Sequence, residues 1–307
     1  MIVCCGEALI DMLPRLSKAD EPAFSPYSGG AVFNTAIALG RLEVPVEFLS
    51  GLSSDLFGEQ LRASLVASNV GTRYVHASRR PTTLAFVHLV DGHASYVFYD
   101  EGTAGRMLAE ADLPVLADDV QAMLFGAISL IPEPSGSTYE SLMKREQARR
   151  LMMFDPNIRP AFIPDRKKHL GRMNRMLAMA DIVKLSDEDL AWFGEAGTHE
   201  EIIARWLRLG PSLVVLTRGS KGAIGYSLNH TVTIEPKLVK VVDTVGAGDT
   251  FNAGILASLH EQNALSKQAV GNLSKDAIRS LLELGAQAAA VTVSRAGANP
   301  PWRYELG

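Results

Sequence analysis

Short, largely apolar runs alternate along the chain with longer stretches whose apolar residues recur every three or four positions. The short runs at 2–5, 123–126, 151–154, 181–185 and 213–217 predict buried strands. Helical spacing predicts helices over 31–42, 55–68, 137–150, 166–179, 250–260 and 274 to about 294. Ser186 begins an acid-rich first turn, and Thr198 with Glu201 has capping-box spacing, so each opens a further helix. Stretches 82–90 and 93–99 read as two strands around Asp91-Gly92, a dipeptide suited to a hairpin turn. A run at 238–242 also has β character and precedes the 250–260 helix. Alternation of strand and helix implies right-handed βαβ crossovers and a mainly parallel sheet, an α/β fold. Ligands of such sheets bind beyond the carboxyl ends of the strands.

The candidate chemistry falls at those ends. Gly246, Ala247 and Gly248 form a turn of small residues before a helix bearing Phe251, Ile255, Leu256 and Leu259. Small residues let the backbone approach a ligand, and the first amides and positive dipole end of a helix suit a phosphate. Asp249, at the helix entrance, either caps the helix or acts as a general base for a hydroxyl attacking that phosphate. Asp11 lies among apolar residues, where a carboxylate needs donors such as sugar hydroxyls; the plainer reading is a turn near Pro14. Gly29 and Gly30 precede a helix whose first turn holds Asn34, a donor and acceptor in one side chain. Arg41, on the outer part of that helix, reads as surface. Lys184 ends an apolar strand, where it either neutralises a phosphate or escapes to solvent. The loop 155–159 and the segment Thr217, Gly219 and Gly222 complete the set. His88 and His93 read as strand and turn residues, because no companion ligand has metal spacing.

At 307 residues the chain is long enough for one large α/β domain or two ordinary ones. With 47% hydrophobic and 21% charged residues it belongs with globular chains, and a net charge of −4 without a basic run argues against nucleic acid as a partner. Cys4 and Cys5 are adjacent, a poor arrangement for a disulfide, which points to a reducing compartment. Met1 to Leu13 lacks a signal-peptide pattern, and no apolar run has the length of a membrane span, so the reading is soluble and cytoplasmic. Neither a Walker A loop nor a protein-kinase catalytic loop is present.

The stretch from Asp243 to Gly254 closely resembles the C-terminal signature of the PfkB, or ribokinase-like, family of sugar kinases, and Gly29 to Asn34 resembles a second signature of that family. The resemblance runs over essentially the whole chain and is strongest to fructokinase-like members. It implies one ribokinase-like domain over 1–307, with helices on both faces of the sheet. It also implies a small β lid, formed by about 11–30 and 81–100, that covers the sugar and can pair with a second copy as a homodimer. The implied activity is ATP-dependent phosphorylation of a primary sugar hydroxyl, with Asp249 as base and Gly246, Ala247 and Gly248 as anion hole. Asp11, Gly29, Gly30, Asn34, Phe98, Asn157 and Arg159 would meet the sugar. Lys184, Ser186, Thr217, Gly219 and Gly222 would meet the nucleotide. Mg²⁺ would be held mainly by nucleotide oxygens and water, and K⁺ beside Asp243 and Thr244.

The chain departs from the family pattern in places. Ser186 and Asp189 stand where many relatives carry Asn and Glu, and Ala161 to Ile163 replace a usual Leu-Trp. Fructose is the expected acceptor and 2-keto-3-deoxygluconate the alternative. Keto-deoxygluconate kinases tend to carry an aromatic followed by arginine where this chain has Tyr99 and Asp100, and an acid there would repel a carboxylate. Arg79, Arg80 and Arg106 are available to compensate. A nucleoside acceptor is a further alternative. A non-catalytic sugar or nucleotide sensor is the remote one, since a sensor is expected to lose the base or the anion turn.

Overall fold

Strand β1 (Ile2–Cys5) leads into a long pair, β2 (Leu9–Leu16) and β3 (Pro22–Gly29), and then helix α1 (Ala31–Arg41). Strands β4 (Val46–Leu49) and β5 (Gly51–Ser53) precede α2 (Leu56–Ala67). Next come β6 (Val70–Gly71), β7 (His76–Ser78), β8 (Leu84–Val90) and β9 (His93–Tyr99). Strand and helix then alternate through β10 (Ala122–Gly126), α3 (Ser135–Glu146), β11 (Leu151–Asp155) and α4 (Arg166–Met179). They continue through β12 (Ile182–Ser186), α5 (Asp187–Phe193), α6 (His199–Trp206) and β13 (Leu213–Thr217). Strands β14 (Ala223–Tyr226) and β15 (Thr231–Ile234) precede the helices α7 (Ala247–Glu261), α8 (Lys267–Gly271) and α9 (Lys275–Val293). This computed structural model describes residues 1–90 and 93–307, with backbone alone at 87–90 and 93–96. The turn expected at Asp91 and Gly92 therefore lies outside the described residues.

A nine-stranded sheet runs in the order β15-β14-β13-β12-β11-β10-β1-β4-β6. Neighbours from β13 to β6 are parallel, and β14 and β15 join antiparallel at one edge. Successive residues of β1 point to opposite faces, as the pleat requires. Ile2 and Cys4 pack into a core with Ile37, Leu256 and Leu281 of α1, α7 and α9. Val3 and Cys5 pack into the other core with Leu142, Met176 and Trp206 of α3, α4 and α6. Helices thus cover both faces, which is why the inner strands read as unbroken apolar runs.

A second sheet, β3-β2-β8-β9, projects beside the first, and its residues Leu9, Asp11 and Phe98 look into the main cleft. Asp11 therefore sits in a strand and not in a turn near Pro14.

The structure corrects three local expectations. Residues 238–242 form no strand: Leu238 is 93% exposed, while the amides of Val242 and Asp243 both turn to Val293 O. Pairing at that edge of the sheet ends with β15, so β propensity alone finds no partner there. The helix expected over 137–150 spans Ser135–Glu146, and Arg150 beyond it is buried against Glu146 at 2.8 Å. Arg41 is not a free surface residue: its guanidinium donates to Asn299 and to Pro300 O, both at 2.8 Å, and lies over the Trp302 ring.

Candidate active site

Two helix starts meet at the carboxyl ends of the strands. Helix α7 begins from Gly246, whose φ of +78° is left-handed and open to glycine, and whose missing Cβ leaves room for Ala298. The Ala247 amide reaches back to Thr244 O at 3.3 Å, and the Thr250 amide bonds Gly246 O. Gly248 and Asp249 are thereby left as the amides that the turn presents, at the positive end of a fifteen-residue helix. Among the described residues no side chain caps this turn, so Asp249 does not fill the capping role.

Asp249 is 7% exposed. Its Oδ2 accepts from Asn34 Nδ2 at 2.9 Å and its Oδ1 from Asn157 Nδ2 at 3.5 Å. Burial pushes its carboxyl up to about 7; the Asn34 bond and the Lys184 charge oppose that rise, Asp155 adds to it and Arg159 opposes it. The neighbouring Thr35 hydroxyl donates to Asp249 O at 3.1 Å, so the first turn of α1 holds both ends of this residue.

Lys184 is buried beneath the same turn and paired with Asp155 at 3.0 Å. Asp155 also accepts from Asn252 Nδ2 at 2.6 Å and from the Asn157 amide at 3.1 Å. The Lys184 ammonium stands 2.9 Å from where a Cβ on Gly248 would be. Neither solvent escape nor a bare charge describes this lysine. Asp155 ends β11, whereas Lys184, expected at a strand end, lies in the middle of the neighbouring β12; local pattern does not reveal that adjacency.

Glu7 carries no motif of its own and was not among the expected site residues. Its Oε1 accepts from the Ala31 and Val32 amides at 2.8 and 3.4 Å, and its Oε2 from the Ser129 amide at 3.3 Å. Gly30, the residue before α1, has no side chain to cap with, and Glu7 does so from the end of β1. Glycine is required at both positions of the pair. A Cβ on Gly29 would stand 2.2 Å from Asp11 Oδ2, and Gly30, at φ +112°, would meet Glu7 O at 2.9 Å. Burial raises the Asp11 carboxyl to about 6.

These groups line one cleft of about 730 Å³, which includes Asp11, Gly30, Asn34, Phe98, Asn157, Arg159, Lys184, Ser186, Thr217, Gly219 and 244–249. Gly29 braces it from behind Asp11. Phe98 packs edge-to-face on Phe162 with ring centroids 4.5 Å apart. Beyond Thr217, Gly219 and Gly222 the cleft continues into an apolar cavity of about 410 Å³, walled by Val239, Val241, Phe251, Ala286, Ala290 and Val293. This composition and size suit a flat aromatic base next to an anion turn.

Ser186 and Asp189 form the capping box of α5, and Asp189 Oδ1 holds the Ile158 amide at 2.7 Å. Asp243 accepts from the Val245 and Gly297 amides at 3.0 and 2.9 Å and so clamps the anion turn to the segment after α9. Among the described residues, no group of three His, Cys, Asp or Glu side chains forms a metal cage. Asp100 is not a bare acid, because Arg106 pairs with it at 3.0 Å; Arg79 and Arg80 are exposed and line no part of the cleft.

The chain matches the family model described as pfkB family carbohydrate kinase over residues 1–303. A fructokinase of Rhizobium leguminosarum bv. trifolii is 57% identical over 279 residues, covering 91% of this chain and 86% of the relative. A probable chloroplastic fructokinase-6 of Arabidopsis thaliana is 32% identical over 97% of this chain and 79% of its own length. Among solved structures, fructokinase with bound ATP from Xylella fastidiosa superposes with a TM-score of 0.91 at 29% identity, over 99% of this chain and 97% of that one. Fructokinase from Vibrio cholerae O395, with fructose, ADP and calcium bound, gives 0.82 at 26% identity over 97% and 94%. Fold and site together define a phosphoryl-transfer enzyme of the ribokinase-like class. The chain belongs to the pfkB family and is a carbohydrate kinase.

Proposed function

We propose that this kinase transfers the γ-phosphate of ATP to a primary hydroxyl of fructose. One observation carries the reading above the others: a buried carboxylate, Asp249, raised to about 7, stands in the first turn of α7 beside amides that no side chain caps. Such a group takes a proton from an alcohol at neutral pH while the adjacent amides receive phosphate charge. The 57% identity to a fructokinase over most of the chain supports fructose as acceptor, and nucleotide-bound relatives support ATP.

The acceptor lies between Asp11, Gly30, Asn34 and Phe98, with its reacting hydroxyl at Asp249. The base of ATP rests in the apolar cavity and its phosphates run past Gly219 to Gly248. As the hydroxyl oxygen attacks in line and the bond from the γ-phosphorus to the bridging oxygen breaks, ADP leaves, Asp249 takes the proton, the Gly248 and Asp249 amides receive the equatorial oxygens, and Lys184 and Arg159 neutralise charge. Mg²⁺ would enter with the nucleotide and supply charge neutralisation there; the described residues offer it no cage of carboxylates. Asp243 and Thr244 are the groups for a monovalent cation behind the turn. The chain acts as one domain, and the β2-β3-β8-β9 sheet serves as a lid that excludes water from the transfer. Exposed Phe24, Tyr27 and Tyr99 on that sheet suit pairing with a second copy.

The test is a coupled assay of MgATP consumption with K⁺ present, offering fructose, 2-keto-3-deoxygluconate, ribose and adenosine separately. Turnover on fructose that Asp249→Asn nearly abolishes, with nucleotide binding retained, is expected. Unchanged turnover in that variant removes the base assignment. Nucleotide binding without turnover on any acceptor favours a sensor.

A further inference from the structure

Next to the acceptor end of the cleft lies a second chamber of about 260 Å³. The two spaces share Glu7, Leu9, Phe98, Ile128 and Phe162, so the Phe98–Phe162 pair stands in their common wall. The chamber contains none of Asp249, Lys184 or Arg159, and its charged groups besides Glu7 are Asp100 and Arg106. Those two are paired, Arg106 Nη1 to Asp100 Oδ1 at 3.0 Å, with each side chain about one third exposed (33% and 34%).

The loop that carries the pair is anchored at both ends. The Thr103 amide and hydroxyl both bond Asp100 O, at 3.1 and 2.8 Å, and the Ser135 amide at the start of α3 bonds Arg106 O at 3.2 Å. Both charged groups are therefore held facing the chamber from a fixed backbone. A guanidinium so paired offers donors but little net charge. An anionic group entering here meets a cation already neutralised, and must displace Asp100 or lie beside it. Glu7 adds no attraction for an anion, and its oxygens are already taken by three backbone amides.

Resting on the fructokinase reading above, we propose that this chamber receives the end of the acceptor remote from the reacting hydroxyl. Asp100, by holding Arg106, keeps it a site for neutral polyols and closes it to sugar acids. Asp100 and Arg106 are thus a specificity pair, and the selectivity comes from masking a cation rather than from a bare repelling acid.

The experiment compares the intact enzyme with Asp100→Asn, Arg106→Met and the double variant. Steady-state kinetics and calorimetric titration are run with fructose and with 2-keto-3-deoxygluconate. Asp100→Asn keeps the shape and releases the guanidinium. It should raise affinity and kcat/KM for the sugar acid by about tenfold or more, the scale of one charge-assisted hydrogen bond. Adding Arg106→Met should cancel that gain. Arg106→Met alone should not gain sugar-acid binding, and serves as the second readout if Asp100→Asn folds poorly. Wild-type and Asp100→Asn proteins binding both ligands alike would overturn the proposal, as would a gain that survives Arg106→Met. Failure of the fructokinase reading is seen separately, as absence of fructose turnover in the wild type, while the calorimetric gain for the sugar acid still reports on the pair.

Discussion

Asn34 donates its side-chain amide to Asp249 Oδ2 at 2.9 Å, joining the first turns of α1 and α7 across 215 residues of chain. Through this bond the Gly29-Gly30 segment and the turn that opens α7 meet at one cleft. The bond favours the ionised carboxylate and offsets part of the burial that raises it.

Asn34→Ala should therefore move the acidic limb of the kcat/KM–pH profile upward from about 7, its expected place in the wild type. Activity at pH 7 should fall more than activity at pH 9. A limb that stays in place would show that Asn34 does not set the base.

The same burial makes Asp249 costly to stability. Its folded value, about 7, stands above an unfolded value of about 3.9. Between those values the folded chain keeps a proton that the unfolded chain has lost. Stability from this group therefore falls as pH rises through that window, and the loss is complete above about pH 7. Asp249→Asn removes the penalty. Its Tm should exceed that of the wild type by several degrees at pH 8 and match it near pH 4, as read by scanning calorimetry.

Gly248 should separate nucleotide binding from stability, whereas Lys184, which serves both, should affect both. Lys184→Met leaves Asp155 buried without its cation and should cost about 3 kcal/mol in denaturant unfolding. Gly248→Ala puts a methyl 2.9 Å from the Lys184 ammonium, at the mouth of the anion turn. It should weaken ATP binding about tenfold, roughly 1.4 kcal/mol, with little change in unfolding midpoint. Equal effects of both variants on stability would contradict this division.

Glu7→Gln replaces one acceptor oxygen by a donor while three backbone amides still point at the group. The start of α1 should loosen, carrying Gly30 and Asn34 with it. The KM for the sugar should rise severalfold, whereas the KM for ATP should not; a parallel rise in both would point to general unfolding.

At Gly254, in the middle of α7, an added Cβ would stand 2.5 Å from Gly285 Cα of α9. Gly254→Ala should push the helices apart and cost about 1–3 kcal/mol. It should also lower kcat, because α7 carries Asp249. Urea unfolding and steady-state rates on one preparation would show whether the two losses go together.

Much of this molecule was written in local pattern. Helix α4 and strand β13 lie where spacing placed them, Thr198 and Glu201 make their capping box, and Gly246 to Asp249 open α7 as a turn of small residues. Those features depend on neighbours within a few positions, and a side-chain period or a cap needs nothing more distant. The failures share one cause. The 238–242 run has strand residues but pairs with no strand, its last amide turning to Val293 O instead, and Arg41 looked external until a distant segment came back to cover it. Glu7 meets partners 24 to 122 residues away, so nothing beside it in the chain announces its role, and Asp155, within the expected loop 155–159, finds Lys184 and Asn252 only in the fold.

Local sequence was enough for the alternation of strands and helices, the turn of small residues before α7 and the carboxylate at its entrance, because short-range periodicity and turn chemistry suffice for these. The strand order, the pairing of Lys184 with Asp155 and of Arg106 with Asp100, and the raised carboxyl of Asp249 came only with the folded chain. Each of those depends on which distant groups share a water-poor space, and desolvation and ion pairing exist only once the chain has closed around them.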